Sequence, residues 1–299
     1  MIEHGKEQGP ILLIHGGAGD TLNSDREKIV RSELNRIIND SFKLLKDGQS
    51  ATDVVCQAVG LLETSGEFNA GIGSVLQRDG SSRKTASLMD GKKQSFSAVH
   101  QIQWTDQPSL IAKALQEKED RILGGSGAQL IARELGLEAN EEVSEKQLEK
   151  LLNFKQKPEN IKCGTVGAVA IDTNGNLSAA TSTGGVINTF PDRMSDSGTV
   201  AGNYASEFAA VSMTGMGDHI TDTGAAVKIE TRVRDGLELK EASNKLLAEI
   251  NSKNYLVGWI ALDKNGNWVI SHSTPSISAA LASGNQASPL VLANKRSST

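Results

Sequence analysis

The chain has 299 residues, 22% of them charged and 38% hydrophobic, a composition that supplies one sizeable core or two small ones and excludes disorder and fibre. Its formal net charge of −5, with no basic patch and a longest charge-rich run of mixed sign, argues against nucleic acid as a partner. No apolar run approaches the ~18 residues of a membrane span, and the opening MIEHGKEQGP lacks an apolar signal core, so the expected location is the cytoplasm.

In chain order, ILLIH (residues 11–15) is a continuous apolar run ending in Gly16 and Gly17, which reads as a buried strand feeding a tight loop. Residues 24–45 place Ile29, Leu34, Ile37, Ile38, Phe42 and Leu45 largely on one helical face, and residues 51–62 repeat the pattern. Residues 74–88 read as a hairpin around Asp79-Gly80 and residues 95–103 as another strand, followed by helices over 110–115 and 128–135. Residues 138–162 form a charged, solvated connector with Pro158 near its end, holding one short helix opened by Ser144 with Gln147 as its capping-box partner. A strand-rich block follows, with an internal echo. GAVAIDTNGNLSAATS (167–182) and GWIALDKNGNWVISHS (258–273) each set an Asn-Gly between two apolar-alternating runs, which predicts a hairpin with a type I′ turn. Between them, residues 207–212 and 222–251 read as helical. Strands paired by hairpins, with helices in sets, predict an α/β protein built as a helix-sheet-sheet-helix sandwich rather than a doubly wound parallel sheet.

Chemistry concentrates in KCGTVGAVAIDTNGN (162–176). Thr165 stands where irregular chain ends and the buried strand starts, behind Gly164, whose missing side chain leaves the carbonyl sterically open. Such a threonine either attacks its own preceding peptide bond or simply begins a strand. Cys163 is a second candidate nucleophile, but no His adjoins it; Cys56 and Cys163 are too few for a disulfide scaffold or a zinc site and read as filler. TSTGG (181–185) closes the first hairpin, and pairing centred on Asn174-Gly175 sets Thr183 opposite Val166 and beside Thr165. HGGAG (15–19) and GGSGAQL (124–130) are each either a phosphate cradle at a helix N-terminus or a tight turn, and the turn is favoured because neither completes a dinucleotide fingerprint or a P-loop. MTGMG (213–217), after a helix, offers backbone N–H groups of the kind an oxyanion needs. Arg193 and Asp196 are either a surface ion pair or a clamp, because an arginine fork grips a carboxylate and an aspartate accepts from an ammonium.

Taken in order, HGGAG, FNAGIGSVL (68–76), ASLMDG (86–91), GTVGAVA, TSTGG, the Arg193 and Asp196 pair and TGMG resemble the plant-type L-asparaginase and isoaspartyl peptidase family of N-terminal nucleophile hydrolases, over about residues 11–268. The resemblance implies a four-layer αββα sandwich, one domain over residues 1–299, and a precursor that cuts itself between Gly164 and Thr165. The products are an α subunit (1–164), ending in the charged connector, and a β subunit (165–299) whose new N-terminal Thr165 is the nucleophile. Its free α-amino group, of unperturbed pKa about 7.7–8.0, then serves as its own base, so no His is needed. By the same resemblance Thr183 steadies the hydroxyl, Thr214 and Gly215 form the oxyanion site, and Asn69 is the active-site asparagine. Arg193, Asp196, Gly215 and Gly217 hold the backbone groups of asparagine or a β-aspartyl dipeptide. No catalytic cofactor is implied. A structural sodium ion is, held by the backbone carbonyls of Leu62, Glu63, Ser65, Phe68, Ala70 and Ile72, and so is a dimer of αβ units. The chain departs from the family at Thr85, where an acidic residue is usual, at Gly198, where a proline is usual, and in lacking two residues between Asp196 and Thr214. These departures bear on substrate preference more than on reaction type. The alternatives are a glycosylasparaginase-like hydrolase and an uncleaved, catalytically silent amino-acid-binding homologue.

Overall fold

A computed structural model describes residues 2–137, 139, 143, 145–157, 164–284 and 288–296. A short strand β1 (Ile2–Lys6) precedes β2 (Ile11–Gly19), α1 (Ser24–Lys46) and α2 (Ala51–Thr64). Then come β3 (Lys84–Asp90), β4 (Ser95–Ile102), α3 (Pro108–Leu115), β5 (Ile122–Gly124), α4 (Gly125–Glu134) and α5 (Glu145–Gln156). The second half holds β6 (Val166–Ile171), β7 (Leu177–Thr183), β8 (Asn203–Ala205), β9 (Ala209–Gly215), α6 (Gly217–Thr223), α7 (Ala225–Arg234) and α8 (Leu239–Ser252). It closes with β10 (Val257–Asp263), β11 (Asn267–His272), β12 (Ser276–Ser283) and β13 (Leu290–Arg296).

The strands form an eight-stranded sheet, β13-β12-β2-β6-β7-β3-β4-β5, and a five-stranded sheet, β1-β11-β10-β9-β8. Side chains alternate across a strand, and β2 shows what its unbroken apolar run means. Ile11 and Leu13 enter the core between the two sheets with Val169, Ile260 and Leu262, while Leu12 and Ile14 enter the core under α1 and α2 with Leu34, Ile38, Val55 and Val59. On the far side α7 and α8 pack Ile229 and Leu246 onto Met213 and Trp259 of the five-stranded sheet. Helices, sheet, sheet and helices therefore stack as an αββα sandwich. Asn23 and Ser50 start α1 and α2 by accepting from the N–H groups of Arg26 and Asp53.

Several expectations change. Residues 207–212 are not helical: β9 runs from Ala209 and is buried along its whole length between the other sheet and α7, so no polar alternation marks it. Helical residues 222–251 divide into α6, α7 and α8, broken at Gly224, whose φ of +56° is left-handed, and at the loop after Arg234. The 74–88 hairpin is reduced to one bridge, Leu76 to Ser82, before β3 begins. Both Asn-Gly hairpins form, but neither turn is type I′. Asn174 and Asn265 keep negative φ while Gly175 and Gly266 take +80° and +78°, so each loop is one residue longer than a two-residue turn and closes as a glycine bulge. Asp172 and Asp263 fix these loops alike, each Oδ1 accepting from the N–H groups two and four residues on. In the connector, Ser144, Cys163, Pro158 and Lys162 lie outside the described residues. Its helix α5 is only partly solvated: Leu151 and Gln147 are buried, and Gln147 Nε2 donates to the Gly73 carbonyl at 2.8 Å.

Candidate active site

Thr165 stands one residue before β6 and is only 6% exposed. The longer turn shifts the register by one from the expected pairing: Val166 lies opposite Ser182, so Thr183 stands across from Thr165 itself. Thr165 Oγ1 donates to Thr183 Oγ1 at 3.1 Å, and Thr183 Oγ1 lies 3.5 Å from the Gly164 carbonyl oxygen. Asn69 reaches the same carbonyl from the loop after α2. Its Nδ2 donates to Gly164 O and to Gly185 O, both at 2.7 Å, and its Oδ1 accepts from Val75 N at 3.0 Å. Donors on one side of the amide and an acceptor on the other fix its orientation. The bond between Gly164 and Thr165 therefore has a hydroxyl beside it and a hydrogen-bond donor on its oxygen.

Thr214 and Gly215 end strand β9, correcting the expectation of a loop after a helix. Thr214 Oγ1 accepts from Ala18 N at 3.2 Å, which leaves its own proton free to donate elsewhere. Beneath them runs a polar line that the sequence did not single out: Ser212 Oγ lies 2.6 Å from Thr181 Oγ1 and 2.9 Å from His15 Nε2. Burial pushes the His15 pKa down to about 3, opposed only weakly by the Thr165 backbone, so this imidazole is neutral at working pH. The signal available for it was its place directly before the glycine pair of HGGAG.

Arg193 and Asp196 do not pair with each other. Arg193 Nη2 reaches Asp218 at 2.9 Å, with most of its side chain buried. Asp196 opens a 3-10 turn (Asp196–Gly198) and is 2% exposed. Its Oδ1 accepts from Ser195 Oγ at 3.3 Å, and its buried Oδ2 has no partner among the described residues. Burial pushes this carboxyl up to about 7, against the pull of the Ser195 hydrogen bond and the Arg193 charge. Gly217 touches the same group: a Cβ there would fall 2.5 Å from Asp196 Oδ1, so only glycine fits against the carboxyl at the start of α6.

The Thr165 hydroxyl before β6, the Thr183 hydroxyl at the end of β7 and the Asn69 donor thus meet at one peptide bond. The sequence profile of the asparaginase family matches residues 8–292. This chain belongs to the asparaginase family. It is 40% identical over 290 residues to the isoaspartyl peptidase/L-asparaginase of a Synechocystis strain, covering 92% of this chain and 88% of that protein. Against the proteins of the same description from Mus musculus and Homo sapiens it is 37% identical over 281 residues and 36% identical over 286. Those matches cover 89% and 91% of this chain and 86% and 93% of the two relatives. The chain is an amidohydrolase of the self-processing, threonine-nucleophile class.

Other features of this asparaginase-family chain follow from the same packing. The six carbonyl positions run from the last turn of α2 (Leu62, Glu63) through the loop (Ser65, Phe68, Ala70) into the 3-10 turn Gly71–Gly73 (Ile72). The carbonyls of Leu62, Phe68 and Ala70 each accept one hydrogen bond, from Ser65 Oγ, Ala70 N and Gly73 N, and keep a second lone pair. Cys56 is a buried thiol, and burial pushes its pKa to about 12, which excludes it as a nucleophile. A cavity of about 720 Å³ opens beside Phe68, Asn69 and Gly164, with Lys150 and Phe154 of α5 on its opposite wall. No helix among the described residues is long and apolar enough to cross a membrane.

Proposed function

We propose that this protein cuts itself between Gly164 and Thr165 and then hydrolyses the side-chain amide of L-asparagine and the isopeptide bond of β-aspartyl dipeptides. The observation that carries the reading is the Thr165 hydroxyl, hydrogen-bonded to Thr183, beside a Gly164 carbonyl held by Asn69. In the precursor, Thr165 Oγ1 adds to the Gly164 carbonyl carbon while Asn69 Nδ2 stabilises the charge on the oxygen. The C–N bond breaks, the hydroxyl proton ends on the departing nitrogen, and water hydrolyses the resulting ester. The freed α-amino group is the base for the second reaction, taking the Oγ1 proton as the oxygen attacks the substrate's β-carbonyl. Thr214 Oγ1 and the Gly215 N–H receive the oxyanion. Ammonia or an amino acid leaves with the proton, and water releases aspartate.

Arg193 grips the α-carboxylate, and Asp196 takes the α-ammonium on the oxygen that has no partner among the described residues. Gly215 and Gly217 line that end without side chains. A sodium ion belongs to the same reading: the carbonyls of Leu62, Glu63, Ser65, Phe68, Ala70 and Ile72 would hold it, and its charge would fix the turn that presents Asn69. The reading also includes a cytoplasmic location and a dimer of αβ units, which gel filtration of the cut enzyme checks. The test of the central claim is a denaturing gel with an asparagine assay. Two bands of 164 and 135 residues (299 − 164 = 135) are expected from the wild type, and one inactive band from Thr165→Ala. Asparagine hydrolysis by Thr165→Ala overturns the mechanism.

A further inference from the structure

Both ends of the substrate clamp rest on one irregularity in strand pairing. Between β3 and β4 the register passes from Lys84 with Ile102 to Ala86 with Val99, so a single residue, Thr85, faces two, His100 and Gln101. Gln101 has φ +54°, a left-handed conformation that a residue with a side chain keeps only when its surroundings hold it. Thr85 Oγ1 does so, accepting from both N and Nε2 of Gln101 at 3.3 Å. The same Nε2 donates to the Arg193 carbonyl oxygen at 2.9 Å, and Gln101 Oε1 accepts from Gln77 Nε2 at 3.2 Å.

The neighbouring bulge residue meets the other end. The buried His100 ring lies against Gly198, the last residue of the turn that Asp196 opens: a Cβ on Gly198 would fall 2.6 Å from His100 Nε2 and 2.8 Å from Nδ1. From β3, Ser87 Oγ donates to the Ser197 carbonyl of that turn at 2.6 Å. The α-carboxylate and α-ammonium of an amino acid hang from one carbon, so the spacing of their two grips is fixed by the substrate. Thr85 and Gly198 touch Gln101 and His100 respectively.

We propose that Gln101 and His100 are positioning residues that together set the spacing of Arg193 and Asp196, making this bulge a determinant of substrate specificity. The inference rests on the reading of Arg193 and Asp196 as the substrate clamp. An acidic residue at position 85 would present a charge to the Gln101 amide. A proline at 198 would need the space that the His100 ring fills. Thr85 and Gly198 are thus each fitted to a bulge residue, which ties both grips to the β3–β4 pair.

The test compares asparagine with asparagine amidated at its α-carboxylate, using the cut enzyme. Gln101→Met keeps the length and removes the amide. KM for asparagine is expected to rise about five-fold, on the scale of one lost hydrogen bond, with kcat within about two-fold. The amidated substrate should be affected little, and Gln101→Met should be sub-additive with Arg193→Lys. Thr85→Val removes only the acceptor and should shift KM in the same direction. It replaces Gln101→Met should that variant not fold. For the other end, Gly198→Pro should raise KM, and His100→Gly in the same chain should restore part of it. An unchanged KM in both Gln101→Met and Thr85→Val, or a fall in kcat alone, overturns the Gln101 role; absence of rescue overturns the His100 role. If Arg193→Lys itself leaves the asparagine KM unchanged, the clamp reading fails, a result distinct from either.

Discussion

Replacing Asp196 with asparagine should change how the uncut protein's stability depends on pH. Burial moves this carboxyl from its ordinary 3.8 to about 7, so the folded chain holds the proton more tightly than the unfolded chain does. Ionisation of Asp196 therefore opposes folding. The associated stability is complete below the unfolded value, is lost as pH rises from about 4 to about 7, and stays lost above that. Three pKa units at about 1.4 kcal/mol each set a ceiling of roughly 4 kcal/mol, and relaxation around the buried charge brings the expected loss to about 2–4 kcal/mol. Asparagine does not titrate. Its amide adds a fixed cost or gain, but the difference between the two proteins should change by that amount between pH 4 and pH 8, in favour of the variant at the higher pH. Urea unfolding in a Thr165→Ala background, which keeps a single chain, measures it at each pH. Parallel stability curves for the two proteins would refute the reasoning. A substrate ammonium beside Oδ2 reverses the shift, so asparagine binding below pH 7 should release a proton, seen by calorimetry in buffers of different ionisation enthalpy.

Thr183→Val should lower kcat by at least ten-fold while unfolding within a few degrees of wild type, because one hydrogen bond to the reacting oxygen is lost and the shape is kept; a matching loss of stability would make Thr183 structural. Asn69→Ala removes the donor on the Gly164 carbonyl and should slow self-cutting by about 10²-fold, read from band intensities over time. Arg193→Lys should weaken asparagine binding by roughly 1.5–3 kcal/mol, with little further loss on the α-amidated substrate; independent effects of the two changes would separate Arg193 from that carboxylate. Leu13→Ala, between the sheets, should cost about 2–5 kcal/mol of stability with activity per folded molecule retained, which paired unfolding and rate measurements check.

The sandwich was legible where periodicity is a local property. The run at residues 11–15 and the helical faces of α1 and α2 needed no long-range information, and they became β2 and two capped helices. β9 was misread because a strand buried on both faces has no alternation, and Ala209 and Ala210 are as suited to a helix as to close sheet packing. The hairpins were read one residue out because Asn-Gly supports both a two-residue turn and a longer loop, and Asp172 decides between them through N–H groups on its far side. At the site, the motif order pointed to Thr165, Thr183 and Asn69, and the structure brings these three within hydrogen-bonding reach of one peptide bond. The Arg193 partner was invisible, since Asp218 is 25 residues away along the chain (218 − 193) and belongs to α6. The β4 bulge left no sequence signal either: a left-handed glutamine is a product of its neighbours, not of its own preference.

The strand order of the larger sheet determines what the proposed Gly164–Thr165 cut can and cannot do. Strands from before the bond are threaded among strands from after it: β2 lies between β12 and β6, and β3 lies against β7. Severing one peptide link leaves every one of those ladders closed, so the two pieces remain a single object without any linker. The change appears only after denaturation. The uncut chain refolds by a first-order process, whereas the two pieces must first find each other, at a rate that falls with dilution. Neither piece can complete a sheet alone, and the exposed ladder edges of each invite association with the wrong copies. On this proposal the mature enzyme is a form reached readily through its precursor, with a lifetime governed by how slowly it unfolds.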